Sequence, residues 1–347
     1  MSAFRPQPAE EFRFTDITYQ KKDWVATVTI NRPQAHNAYS TKALEEMARA
    51  FQDASWDDSV AVLVLTGAGD QAFCTGGDVK EYATEFTRRP RDYWKWMGLF
   101  THCHDLLRNL GKPAIARING IVVGGGNEFN LACDLAVMAE HAYIRQVGTR
   151  VGSVAAGGAT QWLPITVGDR RAREMLFLCD EIEASKCLEW GLVNRVVPSV
   201  RSKNGDFVHP QDLAAAKQAL KGGATIDLGP LDAAVAELTG KLVEKFSECT
   251  RYTKQQVNFW KDFAWHQTIG HARDWLSVHY TSWEPNEGMN AFVEKRAPDY
   301  VGLRRRAAEG GSSEFPWGPY VRRCDGCGAR LLPEGFAFCG SCGRALP

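Results

Sequence analysis

The sequence predicts an α/β protein that ends in a helical region and carries a small four-cysteine unit behind it. Three observations predict this. Short apolar runs of strand type alternate with helical periods through residues 13–197. Residues 251–308 keep a helical period and are rich in tryptophan. Four of the ten cysteines stand together at Cys324, Cys327, Cys339 and Cys342. Alternation of strand and helix is the pattern of a sheet layered with helices.

The elements follow in order. Residues 13–30 read as two strands, with Trp24, Val25, Thr27 and Ile30 of β-favouring type before NRP stops the run. Thr41–Asp53 places Leu44, Met47 and Phe51 on one helical face. Val60–Thr66 is continuously apolar, as a strand buried on both faces is. Gly67–Gly77 reads as loop, and helical patterns then run to Asn109. Lys112-Pro113 marks a turn before the strand Ala114–Ile118. Gly120–Gly126 is glycine-rich and leads to a helix from Asn127, followed by the strand Asp134–Ala139. Short helices are expected over 159–178 and 184–190. Residues 200–230 read as a polar insertion, and Leu231–Phe246 returns to helix. Trp260, Trp265, Trp275 and Trp283 are expected in core and subunit packing. GGSSEFPWGP, residues 310–319, is a linker by composition. The domain expectation is therefore 13–309, the linker, and 320–347.

Composition narrows the function. The 41 basic and 41 acidic side chains cancel, which argues against a general nucleic-acid binder or a polybasic membrane anchor. No apolar run approaches the length that spans a bilayer. The start, MSAFRPQPAEEFRF, lacks a signal pattern, so a cytoplasmic location is expected.

Two glycine-rich turns carry the chemistry: AFCTGGDVK (72–80) and INGIVVGGGNEF (118–129). Each can present backbone N–H groups unobstructed by side chains, and the second feeds a helix N-terminus that favours negative charge. Two such donors aimed at one oxygen form an oxyanion hole. Close strand–helix packing is the other role open to these glycines. GxGxxG is not completed, because Glu128 and Phe129 fill the later slots. No redox cofactor is expected.

Together these turns, with NRPQAHNA, GLVNRVV and EGMNAFVEKRAPDY, resemble the crotonase (enoyl-CoA hydratase/isomerase) superfamily over about residues 13–300. The resemblance implies a spiral core of ββα units, an acyl-CoA thioester substrate, and a homo-oligomer, either a trimer or a dimer of trimers. It implies that the N–H groups of Gly77 and Gly125 hold the thioester oxygen as it becomes an enolate. Thr75, Gly76, Asp78 and Val79, with Ile121, Val123, Gly124 and Gly148, would line the coenzyme A arm. His36, Tyr280 and Lys295 match positions near its nucleotide end. A local turn hydrogen bond competes as the role of Asp78.

Hydratases of this superfamily use two glutamates. Glu128 matches the first, while Gly148 stands where the second is expected. The run IRQVGTRVGSV instead resembles branches that make or break a C–C bond next to a CoA thioester. This mixed pattern resembles that of ring-opening acyl-CoA hydrolases of the superfamily, and the resemblance implies the following reaction. Water first adds to a ring alkene conjugated to the thioester, with Glu128 as base. A second water then attacks the ring ketone and the C–C bond breaks, giving 3-hydroxypimeloyl-CoA. Gln146 and Ser153 are the candidates for placing the second water or an anion, with packing as their competing role. A simple hydratase, a C–C synthase and a non-catalytic scaffold remain open.

Cys324-x2-Cys327-x11-Cys339-x2-Cys342 has two CxxC hooks, each followed by glycine. Four thiolates match a closed, structural zinc ribbon. Rubredoxin-like iron uses the same ligands, and a redox pair is the third reading.

Overall fold

The computed structural model describes residues 4–310 and 320–347. The linker expected over 310–319 lies outside the described residues, Gly310 apart. Strands β1 (Ile17–Lys22) and β2 (Val25–Ile30) form the expected opening hairpin, and α1 (Thr41–Trp56) follows. Ser40 caps α1 by accepting from Ala43 N at 3.0 Å, which fixes its start. Next come β3 (Val62–Gly67), β4 (Ala72–Cys74), the single turn α2 (Val79–Glu81), a π-helical turn Tyr82–Phe86, and α3 (Pro90–Arg108). The strand β3 is buried at every position, as its unbroken apolar run predicts.

The pattern repeats. Strands β5 (Ala114–Ile118) and β6 (Ile121–Val123) lead to α4 (Gly125–Ala132). Strands β7 (Leu135–Ala139) and β8 (Tyr143–Arg145) lead to α5 (Ala159–Val167) and α6 (Asp169–Leu178), which break at Gly168. Then β9 (Ile182–Glu183), α7 (Ala184–Glu189) and β10 (Arg195–Val197) complete the core. The opening hairpin gives both its strands to a six-stranded sheet, ordered β1-β2-β3-β5-β7-β10, and each later strand pair gives one strand to it and one to a four-stranded sheet, ordered β4-β6-β8-β9. All pairs from β2 onward in the large sheet are parallel.

Two differences from the sequence expectation bear on the site. Gly67–Gly77, read as loop, and Gly120–Gly126, read as a glycine-rich turn, each contain a three-residue strand, β4 and β6. Runs this short carry no period for a sequence to reveal. Helix α4 begins at Gly125, two residues before the expected Asn127.

Residues 200–230 form a small antiparallel sheet of β11 (Val200–Arg201), β12 (Phe207–Val208) and β13 (Thr225–Ile226), with α8 (Leu213–Lys221). The helices α9 (Gly229–Val243), α10 (Ser247–Val257), α11 (Phe259–His279), α12 (Trp283–Val293) and α13 (Gly302–Ala308) follow. Trp265 is core, stacked on Trp162 at 4.9 Å, whereas Trp260 and Trp275 remain exposed. No described helix is long and apolar enough to cross a membrane.

Candidate active site

Three segments leave the same end of the small sheet. β4, β6 and β8 run parallel, so their C-terminal ends lie side by side. Thr75–Asp78 follows β4, Gly124–Glu128 follows β6, and Gln146–Gly148 follows β8. The two turns follow these short strands rather than the long ones ending near Thr66 and Ile118. That pairing is what brings them together.

The glycines are there because nothing larger fits. A Cβ on Gly126 would stand 2.1 Å from Cys74 O, and one on Gly76 3.2 Å from Gly125 N. Gly76 and Gly124 also have φ of 88° and 53°, which favour glycine. Tyr39 forms an isolated parallel bridge with Gly77. Its two bonds run from Tyr39 N to Gly76 O and from Asp78 N to Tyr39 O, each 2.9 Å. The Gly77 N–H takes no part in them. Gly125 is the first residue of α4, where an N–H has no intrahelical acceptor. Both donors therefore come from adjoining turns, as an oxyanion hole requires.

Glu128 sits one helical turn further on, 4% exposed. Its Oε1 accepts from Ala159 N at 3.1 Å, the first residue of α5. Burial pushes its carboxyl up to about 7, and the N–H groups of Ala159 and Gly157 pull the other way. Such a group is poised to take a proton near neutral pH.

A cavity of about 880 Å³ opens over these groups. His36, Thr75, Gly76, Gly77, Asp78, Val79, Ile121, Val123, Gly124, Gly125, Glu128, Gln146, Gly148, Ser153 and Tyr280 all line it. Lys295 does not; it is exposed. Asp78 caps the following turn through Lys80 N at 3.1 Å and pairs with Arg32 at 3.0 Å, which is the local role weighed above. Tyr280 is 1% exposed and bonded to Ser153 Oγ at 3.1 Å. It thus lies deep beside Ser153, and burial raises its phenol's pKa.

Gly148 shows how the second acid position is closed. Ser153 N donates to Gly148 O at 2.8 Å, folding the loop back. A Cβ on Gly148 would meet Ser153 O at 2.9 Å. Gln146 is fully buried, and neither its Oε1 nor its Nε2 has a partner among the described residues. A buried amide without partners costs free energy unless a ligand or water completes it.

Sequence reasoning missed the cavity's aromatic wall. Tyr39, Tyr82, Tyr93, Trp96 and Phe100 line it with Tyr280. Tyr93, Trp96 and Phe100 recur at helical spacing on α3, a signal that marks one face but not what that face meets.

At the other end of the chain, the four cysteine sulfurs lie within 4.8 Å of one another. The Cys324–Cys342 and Cys327–Cys339 sulfurs are each 3.6 Å apart. Tetrahedral coordination at Zn–S of 2.3 Å puts sulfurs about 3.8 Å apart. Ser341 N donates to Cys339 Sγ at 3.4 Å, as a thiolate ligand would attract. The set can hold a metal ion.

The fold and the paired glycine turns define an acyl-CoA enzyme of crotonase type. The family model described as enoyl-CoA hydratase/isomerase matches residues 20–222, and the chain belongs to that family. A 6-oxocyclohex-1-ene-1-carbonyl-CoA hydrolase of Thauera aromatica is 33% identical over 84% of this chain and 83% of its own. A protein of the same name from Geobacter metallireducens is 34% identical over 84% of this chain and 82% of its own. Among solved structures, an enoyl-CoA hydratase from Mycobacterium avium subsp. paratuberculosis matches with TM-score 0.66 at 24% identity, covering 82% of this chain and 98% of its own. That likeness speaks to the fold alone.

Proposed function

We propose that this chain is a ring-opening acyl-CoA hydrolase acting on 6-oxocyclohex-1-ene-1-carbonyl-CoA. Water adds across the alkene, water then attacks the ring ketone, and the C–C bond breaks to leave 3-hydroxypimeloyl-CoA. The observation that carries the reading is Glu128, a single buried acid facing a cavity whose second acid position is a closed glycine. The similarity to the two hydrolases supports the substrate. Both steps leave charge on the thioester oxygen, so one oxyanion hole at Gly77 and Gly125 serves both. Glu128 takes the proton of each water in turn. Gln146, unpartnered and buried, holds the second water in place.

Coenzyme A would run past Thr75–Val79 and Ile121–Gly124 toward His36. Lys295, outside the cavity lining, would reach its phosphates only where the arm leaves the cavity. The cysteine cluster would hold structural zinc, with iron as the metal the same thiolates admit. Exposed Phe259, Trp260 and Phe263 on α11 support association between copies, and the family resemblance implies a trimer or a dimer of trimers.

Mass spectrometry of the product tests the reaction. The expected product is an open chain heavier by two waters. A gain of one water, with the ring intact, would reduce the activity to hydration.

A further inference from the structure

Ring opening creates two oxyanions, and the glycine turns account for one. The thioester enolate is assigned to the Gly77 and Gly125 N–H groups. The second charge is the alkoxide formed when water attacks the ring ketone. In a β-keto thioester a single carbon separates the two carbonyl carbons. The second oxygen therefore lies close to the first, and its donor must stand beside the glycine turns.

Two hydroxyls stand there. A Cβ on Gly77 would be 1.8 Å from Tyr82 Oη, and one on Gly125 would be 1.9 Å from Tyr39 Oη. Each hydroxyl thus abuts the Cα of one oxyanion glycine. Their rings are held from behind. Tyr39 stacks on Phe100 at 5.6 Å and meets Phe129 edge-on at 5.5 Å. Tyr82 meets Trp96 edge-on at 5.0 Å. Tyr82 also opens the π-helical turn, a device that recurs at functional sites.

We propose that the Tyr39–Tyr82 hydroxyl pair is a second oxyanion site, which takes the ring-ketone oxygen while the glycine N–H groups take the thioester oxygen. The assignment rests on the ring-opening reading above. Water gives a proton to Glu128, and its oxygen bonds to the ketone carbon. The C=O pair moves onto the ketone oxygen, where Tyr82 donates. The alkoxide re-forms its double bond, the ring C–C bond breaks, and that pair passes into the thioester enolate. The proton held on Glu128 then goes to the α-carbon. One water is consumed, one carboxylic acid and one C–H bond are made, and no redox partner is needed. Burial, reinforced by nearby charge, holds both phenols well above their usual range, so both remain donors at neutral pH.

The test separates the two steps in Tyr82→Phe and Tyr39→Phe. Hydration is followed on cyclohex-1-ene-1-carbonyl-CoA, which lacks the ketone, and ring opening on the ketone-bearing substrate. Ring opening should fall about 10²–10³-fold and roughly tenfold more than hydration, with the hydrated ring accumulating. Half-buried Tyr82 is the variant that disturbs packing least. Unchanged ring opening in Tyr82→Phe overturns the assignment, and so does an equal loss in both steps. Those results leave the ring-opening reading intact if the wild-type chain opens the ring. A wild-type chain that never opens it overturns that reading, and this assignment with it.

Discussion

Glu128, the base of the proposed reaction, carries a cost. Its folded-state pKa of about 7 lies above the ordinary 4.5, because burial penalises the carboxylate. The sign follows from linkage. Stability associated with the protonated form is present below pH 4.5 and is lost as pH rises through 7. Above that, the ionised acid costs on the order of 3 kcal/mol. Activity runs the other way, since a general base must be ionised. We therefore expect kcat/KM to rise with pH through about 7. Glu128→Gln should lower turnover by about 10²–10⁴-fold. The same variant should melt above wild type at pH 8, because an amide still accepts from Ala159 N without the charge. A variant that keeps its activity, or melts lower at pH 8, would remove Glu128 from the role. Glu128 itself was legible because the turn preceding it is distinctive. Tyr39, Tyr82 and Tyr93 were not, because an aromatic side chain reads alike in a core and in a cavity wall. Only the geometry separates them.

At the scale of elements, legibility tracked length. β3 and α1 were visible because an apolar run or a period needs several residues to register. The strands β4 and β6 have three residues each, and they are the ones that set the two glycine turns side by side. The sequence therefore marked both turns but not the sheet that joins them. The cysteine unit is the opposite case, since its ligand spacing alone predicted the cluster that the sulfurs form. A unit this small has little core, so metal should supply its folding free energy. Native mass spectrometry should find one metal ion per chain. Chelation should unfold residues 320–347, read by hydrogen exchange, while acyl-CoA turnover persists. Loss of turnover before loss of that fold would contradict a purely structural metal.

At the scale of the whole molecule, the spiral does one thing for the chemistry. It stacks three strand ends so that donors, base and amide come from three separate turns of the same coil. The ββα repeat and the helical C-terminal region were legible as an α/β pattern and a family resemblance. The depth at which Tyr280 sits was not, since α11 ends against the loop that closes over Gly148, and only folding brings the two together. The proposed reaction cleaves a C–C bond in this cavity and leaves the thioester whole. Turnover of 6-oxocyclohex-1-ene-1-carbonyl-CoA in ¹⁸O-water tests it most directly. Ring opening places label in the new hydroxyl and in the new carboxylate, with coenzyme A still attached. Label in a carboxylate derived from the thioester, with free coenzyme A released, would contradict it.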